Sequence, residues 1–178
     1  MNIYVLTCTK HAGLLGEFAE RFEKYWGDPF FAYVSHTDLA HWSDGVLNFL
    51  RSIKDEYFIL LHEDFYLTAP VNKELLEELK EVAVTMGADR VSLLGDHTPE
   101  RTERVGEVLI YKNHAEYHFS FEASIQKRQY MIDHLKGNQD PWQAENGMRH
   151  RAKGLVVCSE KPAIFYQDKM RGQKYEVV

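Results

Sequence analysis

The most strand-like stretch of the chain, YFILLHE (57–63), runs straight into a second acid, Asp64. Four consecutive apolar residues, Phe58 to Leu61, carry the strand, and Pro70 closes the segment. The neighbouring pattern says what kind of sheet this strand enters. NIYVLTC (2–8) reads as a buried strand. LLGEFAERFEKYW (14–26) sets Leu14, Phe18, Phe22 and Tyr25 or Trp26 on one helical face. FFAYVS (30–35) follows the turn GDP as a second strand. WSDGVLNFLRSI (42–53) is a helix with Ser43 as N-cap and Val46, Leu50 and Ile53 inward. NKELLEELKEVAVTMG (72–87) is a helix lined by Leu75, Leu79, Val82 and Met86, with Gly87 at its C-terminal end. RVSLLG (90–95) is a fourth strand. EVLIYK (107–112) and EYHFSFEASIQ (116–126) read as strands, 127–137 and 142–152 as helices, and GLVVCS and AIFYQ as short closing strands. Strands alternating with helices predict an α/β fold with a mostly parallel, Rossmann-like central sheet flanked by helices.

In open sheets of this kind, ligands bind outside the carboxyl ends of the strands. Glu63 and Asp64 fall at such an end. A carboxylate pair there can hold a divalent cation, which in turn holds a diphosphate. On the plainer reading, Asp64 caps a turn and Glu63 faces solvent. His62 reads either as a strand-end histidine satisfied by a neighbour or as a ligand, and imidazole suits Mn better than Mg.

At 178 residues the chain is expected to be one domain with a real core. It has no apolar run near 18 residues, and MNIYVLTCTK lacks the basic and long apolar regions of a signal peptide. Cys8 and Cys158 show no metal-ligand spacing and are expected to be reduced thiols in a cytoplasm. The net charge of −6 is uneven: residues 1–89 carry 7 Lys/Arg against 15 Asp/Glu, and residues 90–178 carry 14 against 12. The acidic total argues against a dedicated DNA-binding protein. RHRAK (149–153) and Lys169, Arg171 and Lys174 offer a phosphate-bearing ligand a basic surface, or simply a solvated face.

Taken in order, these segments resemble bacterial and viral nucleotide-diphospho-sugar glycosyltransferases of the GT-A type. ILLHEDFYLTAPVN is similar to the strand that carries that family's Asp-x-Asp acids, together with the helix start that follows it. WSDGVLNFLRSIKDEYF looks like the preceding helix, and YHFSFEASIQKRQYM like a Tyr-x-x-Ser-x-Gln segment. NQDPWQAEN resembles a Ser-Pro-Trp-x-x-Glu motif and MRGQKY an Arg-Gly-Lys motif. The likeness spans roughly residues 3–176. His62 stands where the family has the first acid, and an expected Trp is absent near Gln126 and Lys127.

The resemblance implies a GT-A-like fold in which residues 1–95 form the nucleotide-sugar half and 96–178 the acceptor side and tail. It implies Mn or Mg at Asp64 and Glu63, and a nucleotide-diphosphate sugar as donor. Thr7, Cys8 and Thr9 would meet base and ribose, as would Asp44 or Asp38, although Asp44 also favours a helix N-terminus. Arg171 and Lys174 would close over the diphosphate, unless the tail is merely solvated. Glu145 would be the base of an inverting transfer rather than a surface acid. Trp142 would floor a sugar site or else anchor the core. Ser120 and Gln126 would lie on the acceptor side. The acceptor is expected to be a saccharide or glycolipid, or a modified base of phage DNA. Two other classes stand beside this one. A metal-dependent nucleotidyltransferase usually starts with a Gly-rich basic loop, whereas TCTKHAGLLGEF has two glycines and one lysine. A non-catalytic binding module would tolerate loss of Glu145.

Overall fold

Tyr57, Ile59 and Leu61 point to one side of the sheet and Phe58 and Leu60 to the other, and all five are buried. That is why the run is apolar at every position: the strand is covered on both faces. The computed structural model describes residues 1–27, 31–36, 41–96, 98–113, 115, 118–168 and 173–174, with residues 31, 35, 36, 173 and 174 described by backbone only. The calls on Asp38, Lys169 and Arg171, and on the Lys174 side chain, fall outside this set.

The chain opens with β1 (Ile3–Cys8), a 3-10 helix (Thr9–Leu14), α1 (Leu15–Trp26), β2 (Phe31–His36) and α2 (Trp42–Ser52). There follow β3 (Tyr57–His62), β4 (Phe65–Leu67), α3 (Lys73–Thr85), β5 (Arg90–Ser92), β6 (Thr102–Val105) and β7 (Val108–Tyr111). The last part holds β8 (Ser124–Lys127), α4 (Arg128–His134), α5 (Pro141–Arg151), β9 (Val156–Cys158), β10 (Tyr166–Asp168) and β11 (Gln173–Lys174). Eight strands form the main sheet in the order β2-β1-β3-β8-β5-β9-β7-β6, and β11-β10-β4 form a small second sheet.

In the main sheet β1 runs parallel to β2 and β3, and β5 to β9. β8 is antiparallel to both β3 and β5, and β7 to both β9 and β6. Six strands therefore share one direction and β8 and β7 oppose them. This is the expected α/β sheet, with one unforeseen insertion: β8, from late in the chain, separates β3 from β5. One core layer packs α1 and α3 on the face of Ile3, Val5 and Ile59. The other packs α2, α4 and α5 on the face of Leu6, Phe58 and Leu60.

Several sequence expectations need correction. Ser43 does not cap α2. The N-cap position is His41, and Ser43 is fully buried, its Oγ accepting from the Gln139 N–H at 2.9 Å while its own N–H donates to the Gln139 carbonyl at 3.0 Å. The buried stripe of α3 is Leu76, Leu79 and Ala83, whereas Met86 is exposed. Among the described residues of 118–126, only Ser124 to Gln126 join a strand, and His118 to Phe121 are buried without being one.

α5 is positioned by its own start. Asp140 accepts from the Gln143 N–H at 2.8 Å, and the Gln143 side chain accepts from the Asp140 N–H at 3.1 Å, with Pro141 as the first helical residue. This reciprocal cap satisfies donors that a helix start otherwise leaves open. Asp140→Ala is expected to cost about 1 kcal/mol. Thermal unfolding would show it, and an unchanged melting temperature would count against the cap.

Candidate functional site

The parallel register Leu6↔His62 brings the ends of β1 and β3 side by side, and the Glu63 N–H donates to the Leu6 carbonyl at 3.3 Å. Glu63 and Asp64 then form the corner at which the chain leaves the main sheet for β4. In the small sheet Phe65 pairs with Asp168, so a third carboxylate is set next to Asp64. A cleft of about 430 Å³ opens at this corner. Thr7, Cys8, Lys10 and His11 line its floor and rim from β1 and the 3-10 helix; His62, Glu63, Asp64 and Asp168 form its acidic wall. Phe121, Glu122, Pro141, Trp142 and Glu145, with Trp42, make up another part of its lining.

Glu63 is 3 % exposed, and its Oε1 lies 2.8 Å from His11 Nδ1. It does not face solvent, so that plain reading fails. Burial lifts the Glu63 carboxyl above its ordinary range, against the pull of His62. Burial likewise lifts Asp64, with His62 opposing and the Asp168 charge adding to the rise. One ligand atom each from His62, Glu63 and Asp64 falls within 4.8 Å of the others, so the three could hold a metal ion.

In the other part of the lining, Trp142 is 61 % exposed, so it is not a core anchor. The residues that fix α5 in the core are Ala144 and Met148. Glu145 lies one turn on from Trp142, its Oε2 3.5 Å from the Phe121 N–H. Phe121 in turn is held edge-on by Trp42 at 4.6 Å.

The cleft thus gathers Thr7, Cys8, His62, Glu63, Asp64, Trp142 and Glu145 from the residues read as functional in the sequence. It does not gather the rest of the described ones. Thr9 is exposed outside the lining. Asp44 accepts from the Asn138 N–H at 3.0 Å and so ties a loop to α2. Ser120 and Gln126 are completely buried. The Ser120 Oγ accepts from the Glu122 N–H at 3.0 Å, and the Gln126 amide donates to the Ser124 Oγ at 2.9 Å, so both hold the local chain in place. The basic run 149–153 starts in the last turn of α5, whereas the first turns of that helix line the cleft, and about 1.5 Å of rise per residue separates the two ends. Sequence reasoning missed Asp168, His11 and Lys10. For Asp168 a signal existed: FYQD ends an apolar strand on an acid, as YFILLHED does.

No protein-family model and no curated protein sequence matches the chain. Solved structures do. A UDP-glucose pyrophosphorylase complexed with UDP-glucose superposes with a TM-score of 0.57 at 14% identity, covering 96% of this chain and 77% of that one. TarS 1-349 from S. aureus gives 0.58 at 12%, covering 93% and 60%, and has also been solved in complex with UDP. HddC from Yersinia pseudotuberculosis gives 0.53 at 12%, covering 94% and 72%. Identities this low show a shared fold. The class defined here is the Rossmann-like α/β fold. Among the described residues no helix is long and apolar enough to cross a membrane, and both cysteines are free.

Proposed function

We propose that the chain is a nucleotide-sugar glycosyltransferase that inverts the anomeric centre and acts on a saccharide or glycolipid hydroxyl. The observation that carries this reading is a single cleft lined both by a buried acidic corner and by an exposed Trp142 with Glu145. His62, Glu63 and Asp64 would hold Mn or Mg, with Asp168 adding charge beside them. The cation, when bound, would neutralise the donor's diphosphate. Thr7 and Lys10 would meet the nucleotide side of the donor. Trp142 would stack on the apolar face of a sugar ring. Glu145 would take the proton of the acceptor hydroxyl as its oxygen attacks the anomeric carbon. On this reading residues 1–95 supply most of the donor side and 96–178 the acceptor side, with Asp168 reaching back to the donor.

A nucleotidyltransferase is the second reading, favoured by the likeness to the pyrophosphorylase fold. Against it, the segment after β1 is a 3-10 helix leading into α1 rather than a Gly-rich basic loop. Incubation with a panel of nucleotide sugars and a divalent cation separates the readings. A glycosyltransferase slowly releases nucleoside diphosphate. A nucleotidyltransferase instead releases pyrophosphate from a nucleoside triphosphate and a sugar phosphate, and a binding module does neither. Once an acceptor is found among saccharides, glycolipids and modified DNA, Trp142→Ala should raise its KM about 3–10-fold, the value of a lost aromatic stack. Donor hydrolysis should be unchanged; an unaltered KM would remove Trp142 from the acceptor site.

A further inference from the structure

The second convergence at the cleft involves different chemistry from the acidic corner. Cys8 ends β1 and is the N-cap residue of the 3-10 helix Thr9–Leu14, and His11 follows three residues later. Cys8 is still extended, and the 3-10 turn that follows it carries the His11 imidazole back beside the thiol. The β1–β3 pairing then delivers Glu63 from a distant part of the chain. The result is one ligand atom each from Cys8, His11 and Glu63, all within 4.8 Å of one another. Cys8 is buried and free, Glu63 is 3 % exposed, and His11 is partly exposed at the cleft, which leaves an entry path.

We propose that Cys8, His11 and Glu63 form a Zn²⁺ site whose fourth position opens into the cleft. The donor set decides the metal. A thiolate with an imidazole and one carboxylate selects zinc over Mg or Mn, which take oxygen-rich sets. With Zn–S near 2.3 Å and Zn–N or Zn–O near 2.0–2.2 Å, neighbouring ligand atoms on a tetrahedral ion sit roughly 3.3–3.6 Å apart. The three side chains need close by only about an ångström, and His11 and Glu63 need part slightly from their 2.8 Å contact. Binding deprotonates the Cys8 thiol, and that proton leaves to solvent. Three protein ligands with one position left open is the pattern of zinc sites that bind a further ligand, here water or a donor atom of the molecule in the cleft. Glu63 also belongs to the His62–Glu63–Asp64 group, so zinc at Cys8 and Mn or Mg at Asp64 meet at one carboxylate.

The site is tested on the full metal-stripped chain, with no nucleotide sugar present. Titration with Co²⁺ should produce a thiolate-to-cobalt charge-transfer absorption that saturates at one ion per chain and is displaced by Zn²⁺. Cys8→Ser should abolish the band. It should also weaken Zn²⁺ binding by at least about 100-fold, since losing even an outer-shell partner costs roughly 10–100-fold. His11→Gln, at a partly exposed residue, should weaken binding similarly while keeping the band at higher Co²⁺, so the idea stays testable even if Cys8→Ser folds poorly. Cys158→Ser and Asp64→Asn should leave the band intact. No band in the wild-type protein, or a band that survives Cys8→Ser, overturns the proposal. Because Asp64→Asn spares this site and disrupts the donor's cation, failure here is distinguishable from failure of the glycosyltransferase reading.

Discussion

Glu145→Gln should bind the donor almost as the wild type does and lose about 10²–10⁴ in turnover, the usual cost of removing a positioned general base. The substitution keeps size and polarity, and Glu145 lines the cleft from α5 rather than from the acidic corner, so donor contacts remain. The effect should appear in kcat and kcat/KM alike, since the proton transfer exists only in the transition state. Donor affinity is read by calorimetry and turnover by release of nucleoside diphosphate on the same preparation. Product stereochemistry, read by NMR, should be inverted. Turnover within a few-fold of wild type, or a retained anomeric configuration, would remove Glu145 as the base and leave Glu122, in the same part of the lining, as the next acid to test.

Asp64→Asn should cut kcat/KM by at least about 10²-fold and remove its dependence on added Mn or Mg, because a ligand that organises the diphosphate is gone. The same change should stabilise the protein in chelator. Burial raises the Asp64 carboxyl above its unfolded value, so the stability tied to it is fully present below the ordinary pKa of about 3.9 and lost as pH rises through the folded value. Its ionised form, with the Asp168 charge nearby, works against the fold until a cation arrives. Asn has no charge to bury. A higher melting temperature is therefore expected without cation. The gain should shrink when Mn or Mg is added to both proteins. Equal melting temperatures in chelator, together with undiminished activity, would take Asp64 out of the cation site.

Such a trade of stability for function would account for the local inconsistency that the acid corner makes at the end of an otherwise apolar strand. YFILL asks for burial, and HED at its end asks for water or a cation. The Pro-Trp-x-x-Glu element was equally legible: Asp140 and Pro141 mark a helix start, and the one-turn spacing places Trp142 and Glu145 at the same end of α5. Ser120 and Gln126, which the resemblance put on the acceptor side, are buried outside the cleft lining, and Phe119 and Phe121 beside Ser120 pack into the core layer of α2, α4 and α5. A window of sequence cannot register that enclosure, since the covering residues come from elsewhere.

The sequence by itself determined the α/β class, the main helices, the strand β3 and the acids at its carboxyl end. All of these rest on local periodicity, capping and the contrast between an apolar run and its charged end. Only the tertiary structure decided which side chains meet. Inserting β8 between β3 and β5 required pairing across the length of the chain. Setting Asp168 against Asp64 required the register of β10 on β4. Joining Cys8 and His11 to Glu63 required the register of β1 on β3 and the 3-10 turn that follows Cys8. Register and docking are set by the summed packing of two core layers, and that sum is not written in any one stretch of residues.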